Sequence, residues 1–171
     1  ILTRRIYQRM DRRTVVITGM GAVTPLGNDV PTFWAGIRAG RCGVGPITRF
    51  DVSGYKASLA AEVRDFHPEA VVEKKELRHM DLFTQYALVA AHEAMADAGL
   101  DMAREDAGRC GTIVSSGIGG MATTEAEHSK GLEKGFDRIS PFYIPMAIAN
   151  MAAGQIAIAF GLKGMCGCPV A

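Results

Sequence analysis

Two short β-branched runs that lead into glycine constrain this chain most. Thr14–Thr18 (TVVIT) runs straight into Gly19-Met20-Gly21, and Gly111–Ser115 (GTIVS) runs into a loop holding Gly117, Gly119 and Gly120. A run without polar alternation has no solvent face, so each predicts a strand buried on both faces, as in a parallel sheet. Helical segments fall between them. Asn28 is placed to cap a helix over Val30–Ala39 that Gly40 closes. Residues 41–57 are rich in Gly, Pro and polar side chains and read as irregular, and Leu59–Val63 reads as a strand near an edge. The clearest helix runs from about Pro68 to Ala98. Leu77, Met80, Phe83 or Thr84, Ala87, Ala91, Ala94 and Ala98 recur at three- or four-residue steps, with Glu73, Lys74, Glu76, Arg78, Asp81 and Glu93 mostly off that stripe. Its alanines predict close packing against another helix or a sheet, and Gly99 supplies its stop. Further helices are expected over about Met121–Lys130 and, after Pro141 and Pro145, over about Met146–Phe160 with Gly161 closing it. Lys163–Ala171 starts as a turn and ends extended. The order β, α, β, α, β, α, α, β is an α/β pattern.

Length and charge narrow the function. The 171 residues suffice for one domain with a core, and 48% hydrophobic with 22% charged residues is a globular balance. A net charge of +1 gives no reason to expect nucleic acid or an anionic membrane as partner. The most apolar stretch, Ile139–Leu162, is interrupted by Ser140, two prolines, Asn150 and Gln155, so it predicts a buried helix and no membrane span. Residues 1–9 carry three Arg, no acid and no long apolar segment of a secretory signal. They read as a non-native upstream extension, with Met10 as the start of a domain over 10–171. Cys42, Cys110, Cys166 and Cys168 form no CxxC, which points to free thiols and a cytoplasmic location.

Several partial motifs lack the residues their chemistry needs. Gly19-Met20-Gly21 begins like a dinucleotide loop, but Thr24 stands where the third glycine should pack helix on strand, and Pro25 follows. A tight strand-exit turn is the better reading. Ser115-Ser116-Gly117 resembles half of a nucleophile elbow, but Ile113 or Val114 occupies the first glycine position, leaving a glycine turn that a ligand or backbone can approach. His92-Glu93 begins like HExxH, yet residue 96 is Ala. His67, His79, His92 and His128 are scattered and read as surface or packing residues. Cys166-Gly167-Cys168 has no second pair and reads as small buried residues on a strand. No metal, no cofactor and no catalytic residue is expected within the chain.

Four segments together carry a resemblance. VVITGMGAVTPLGN at 15–28, ITRFDVSGYKASLAAEV at 47–63, SSGIGGM at 115–121 and ISPFYIPMAIANMAAGQIAIAFGLKG at 139–164 are similar, in order and spacing, to the β-ketoacyl-acyl-carrier-protein synthases. The last two resemble the elongating condensing enzymes of synthase II type in particular. The resemblance implies the first half of a thiolase-like fold, layered α-β-α-β-α, with a mixed sheet and flanking helices, truncated before the active-site elbow. It implies a homodimer, and acyl-carrier protein carrying acyl and malonyl groups as partner. It implies a decarboxylative Claisen condensation in fatty acid elongation. The acylated Cys is then expected one or two positions past Ala171, with two His and a Lys from the second half, while Cys166 and Cys168 are structural. Ile118, flanked by Gly117 and Gly119, matches the inner end of the acyl tunnel, where the glycines leave the backbone free to yield. Tyr143, Ile144, Ala147 and Ile148 match the interface helix that lines the partner's tunnel. The chain alone is expected to be inactive and poorly stable. Alternatives are a polyketide-type ketosynthase, a non-catalytic chain-length-factor-like partner, and a self-contained small-molecule-binding α/β domain.

Overall fold

Asp29, and not Asn28, starts the first helix. In the computed structural model, which describes residues 14–170, the Thr32 N–H donates to Asp29 Oδ1 at 2.6 Å, and α1 runs over Val30–Arg38. Asn28 is otherwise engaged. Its side-chain amide donates to the Arg64 and Asp65 carbonyls at 2.8 and 3.0 Å, tying the start of α1 to the chain far downstream. The upstream extension at residues 1–9 and the Met10 start lie outside the described residues.

Part of the segment expected to be irregular pairs. β1 (Gly45–Pro46) and β2 (Leu59–Ala60) form a two-residue antiparallel ladder with Gly45 opposite Ala60. The expected strand Leu59–Val63 is shortened to Leu59–Ala60, and past it the Glu62 side chain reaches across to the segment after β1. Its buried carboxylate accepts from the Thr48 N–H at 3.0 Å and from Thr48 Oγ1 at 2.8 Å.

The single helix expected over 68–98 is three pieces: a 3₁₀ turn at Pro68–Ala70, α2 at Lys74–Leu77 and α3 at Leu82–Asp97. The break before α3 falls at Asp81, whose backbone is extended and whose Oδ1 accepts the Phe83 N–H at 3.3 Å. The stripe continues across the break, with Met80 and Thr84 buried and Ala87, Ala91 and Ala94 half-buried, while the most buried apolar side chain of α3 is Leu88, which lies beside the stripe. α3 packs against another helix, over Met151–Phe160, as expected, but part of its alanine surface is covered by a loop instead. Gly19 and Gly21 lie on that surface so closely that a Cβ at Gly21 would stand 1.9 Å from the Ala90 carbonyl oxygen.

The strand expected over Thr14–Thr18 is corrected. No ladder forms there among the described residues, and Val15 and Ile17 are 92% and 84% exposed. An extended run without a neighbouring strand can bury neither face. The second run does pair. β3 (Thr112–Ile113) lies parallel to β4 (Cys166–Gly167), Thr112 opposite Cys166. Only one face is closed, with Thr112 buried and Ile113 62% exposed.

Between these strands, α4 spans Met121–Lys134, a turn longer than expected, and stops at Gly135. The last helix is also split, into α5 (Tyr143–Ala147) and α6 (Met151–Phe160). Pro145 sits in the first turn of α5, where no intrahelical donor is lost. Val72, Met80, Leu88 and Ile156 form the buried cluster, with Leu77, Ala87, Ala91, Val114, Phe160 and Leu162 packed against it. The core is thus α3 against α6, with α6 also touching β3 and β4. This is an α/β arrangement, as the element order implied. No helix among the described residues is long and apolar enough to cross a membrane.

Candidate functional site

The loop after β3 is closed by its own side chain. Ser116 Oγ accepts the Gly119 N–H at 3.0 Å, making a tight turn with Ile118 near its tip. Gly119 has φ +87°, and a Cβ there would lie 2.2 Å from the Ala147 carbonyl oxygen. The next N–H, that of Gly120, donates to the same oxygen at 2.8 Å. On its other side Gly120 faces Asp81. A Cβ at position 120 would stand 2.9 Å from Asp81 Oδ2, which also accepts the Thr123 N–H at 2.9 Å and Thr123 Oγ1 at 2.6 Å. The loop is therefore clamped between α5 and Asp81. Ile118 projects from it, 70% exposed. The two flanking glycines differ from the expected pair of yielding points. Open space surrounds Gly117, whereas Gly119 is pinned by close backbone contact.

The segment leading into α5 is anchored separately. Glu127 of α4 accepts the Ser140 N–H at 2.7 Å and pairs with Lys130 at 3.1 Å. Those two interactions, the Ser140 bond first, hold its carboxyl below the usual glutamate range. Phe142 stacks on His79, ring centroids 4.0 Å apart. Of the residues singled out in sequence, Gly119 and Ala147 are thus in direct contact. Ile144 and Ile148 are exposed apolar side chains, and Tyr143 is half-buried. Sequence reasoning singled out Ser116 only within a partial elbow motif, and missed Asp81 and Thr123. Only Asp81 left a local signal, an N-cap residue directly before an apolar helical run.

The remaining candidates do not assemble a reactive centre. Cys42, Cys110, Cys166 and Cys168 are all free. Cys166 lies on β4 as expected but is exposed rather than buried, although its ladder partner Thr112 is buried. His92 packs on Phe160 with centroids 4.7 Å apart, and burial pushes its pKa down. His67 lies 3.3 Å from Glu69. Among the described residues no three His, Cys, Asp or Glu side chains are grouped to hold a metal ion. The glycine loop at 19–21 is unsuited to phosphate. The Met20 N–H donates to Asp97 Oδ2 at 2.9 Å and the Ala22 N–H to Glu93 Oε2 at 2.8 Å. The backbone donors a phosphate needs already face carboxylates, whose charge opposes an anion.

The family profile described as "Beta-ketoacyl synthase, N-terminal domain" matches residues 12–171. The chain is 49% identical over 158 residues to the 3-oxoacyl-[acyl-carrier-protein] synthase 2 of Staphylococcus aureus (strain COL), an alignment covering 92% of this chain and 38% of that protein. It is 48% identical over 155 residues to the protein of the same name from Coxiella burnetii (strain RSA 493 / Nine Mile phase I), covering 91% and 37%. Among solved structures it is similar to the ishigamide ketosynthase/chain length factor, with TM-score 0.78 and 29% identity over 91% of this chain and 39% of that one. The chain therefore spans less than two fifths of the length of these relatives. Its α/β architecture, the clamped glycine loop and the match over nearly all its residues lead to one assignment: the chain belongs to the β-ketoacyl synthase family and carries that family's N-terminal domain.

Proposed function

We propose that this chain supplies an acyl-tunnel wall and part of the dimer interface of an elongating β-ketoacyl-acyl-carrier-protein synthase of type II. The reaction is a decarboxylative condensation. A cysteine thiolate attacks the acyl thioester on its carrier protein and releases the carrier thiol. Malonyl-carrier protein then loses carbon dioxide, and the resulting carbanion attacks the acyl-enzyme carbonyl. A carbon–carbon bond forms, the bond to the cysteine sulfur breaks, and the thiolate returns. The reading assigns the nucleophile and its His and Lys partners to the part of the family sequence that this chain does not span. Gly117, Ile118 and Gly119 then belong to the tunnel, and Tyr143, Ile144, Ala147 and Ile148 to a helix facing a second subunit of a homodimer. The four free cysteines support a reducing, cytoplasmic setting.

The observation that carries this reading is the exposed Ile118 on a loop bonded to α5 through Gly120 and Ala147. A fixed loop with an exposed apolar tip suits a stop for an acyl chain. The 49% identity to a 3-oxoacyl-carrier-protein synthase 2, against 29% to a ketosynthase/chain length factor, supports fatty acid elongation over a polyketide role. Ile118→Phe in the full-length protein tests it. The larger ring is expected to lower kcat/KM for long acyl primers by about tenfold or more while short primers keep most of theirs. An unchanged chain-length profile contradicts the assignment.

A further inference from the structure

We propose that Asp81 is a positioning residue that sets where Ile118 stands, and through it the length of acyl chain accepted; this rests on the tunnel role of Ile118 given above. Asp81 is only 7% exposed and lies 42 residues from its main partner in sequence. Its two oxygens join two helix starts. Oδ1 accepts the Phe83 N–H of α3 at 3.3 Å, and Oδ2 accepts both the N–H and the hydroxyl of Thr123 in the first turn of α4. Helix starts carry partial positive charge, so each end favours the carboxylate.

The other ties on the loop are of a different kind. The Ser116–Gly119 bond fixes the turn's shape, and the Gly120–Ala147 bond joins it to α5. Asp81 refers the loop to α3, which builds the core with α6. The helical period places Asp81 off the apolar stripe, where a continuous helix would leave it facing solvent. The break before α3 turns it inward, and Gly120 comes so close that any side chain there would meet Oδ2. Removing a bond at Asp81 therefore lets the first turn of α4 move against α3, and Ile118, five residues before Thr123, moves with it.

The test is carried out in the full-length protein with a series of acyl primers, measuring kcat/KM for each and the melting temperature. Asp81→Asn keeps the shape but removes one acceptor oxygen, and Thr123→Val removes one donor. Both are expected to change the long-to-short primer ratio by about threefold or more. Thr123→Ser keeps both bonds and is expected to keep the wild-type ratio. Asp29→Ala, which weakens the remote α1 cap, is expected to lower the melting temperature without moving the ratio. That control separates positioning from a general loss of stability. If Ile118→Phe shifts the ratio while Asp81→Asn and Thr123→Val leave it unchanged, the positioning role is overturned and the tunnel reading stands. If Ile118→Phe itself has no effect, both are overturned. Should Asp81→Asn fail to fold, Thr123→Val decides the matter alone.

Discussion

At Gly21 and Gly40 the need for glycine has opposite origins, and the difference can be measured. Gly21 lies on α3 with no room for a side chain, a Cβ meeting the Ala90 carbonyl oxygen at 1.9 Å. Gly40 has open space around it but φ +64°, the left-handed region that closes α1. Gly40→Ala is therefore expected to cost about 1 kcal/mol, the strain of one left-handed residue. Gly21→Ala must push a backbone segment off a helix and is expected to cost more than about 2 kcal/mol. Denaturant titration of both variants in the full-length protein checks this, and equal costs would contradict it. The same closeness explains why the glycine loop at 19–21 is no nucleotide site. It is shaped by α3, with Asp97 and Glu93 holding its backbone donors.

Among the elements, Glu127 gives α4 its hold on the segment that becomes α5. The Ser140 N–H and Lys130 favour its charged form and depress its pKa in the folded state. A depressed carboxyl pKa adds stability above 4.5, the ordinary glutamate value, and that stability is lost as pH falls through the folded-state value. Glu127→Gln is expected to be less stable than the wild type at neutral pH and to converge on it below pH 4.5, read by melting temperature against pH. A constant gap across that range would show that the interaction is not charge-dependent. Helix periods and glycine stops were legible from sequence at this scale. α1, α3 and α6 end where Gly40, Gly99 and Gly161 were read as closures, each with positive φ. The breaks within the two longest helical segments were not legible. At Asp81 the decisive partner is Thr123, on another helix, and no local period reports such a bond. The β1–β2 ladder was missed because two residues carry no alternation to read, and Thr14–Thr18 looked like a buried strand because composition cannot say whether a neighbour is present. Ile118, Gly119 and Ala147 are proposed as site residues on four family-like segments rather than on their own spacing. Ser116 stands in the partial elbow motif and Asp81 directly before an apolar run, but their bonding partners, and Thr123 itself, emerge only from three-dimensional hydrogen bonds.

Over the whole molecule, burial is concentrated between α3 and α6, while Val15, Ile17, Trp34, Ile118, Ile158 and Met165 stand open. Exposed apolar side chains in such number suit contact with another chain segment, subunit or ligand. In the proposed synthase the area around Ile118 meets the acyl chain, and Ile144 and Ile148 meet a second subunit. The chain covers 38% of a relative named 3-oxoacyl-[acyl-carrier-protein] synthase 2, so the condensation is proposed for a protein of that greater length and not for this chain alone. Supplying the full-length protein with an acyl-carrier protein and malonyl-carrier protein, and following the products by mass spectrometry, tests the condensation directly. The expected product is a 3-oxoacyl-carrier protein two carbons longer than the primer, with one carbon dioxide released for each condensation. Intact primer and no carbon–carbon bond formation, with both carrier proteins loaded and the protein folded, would contradict the proposal.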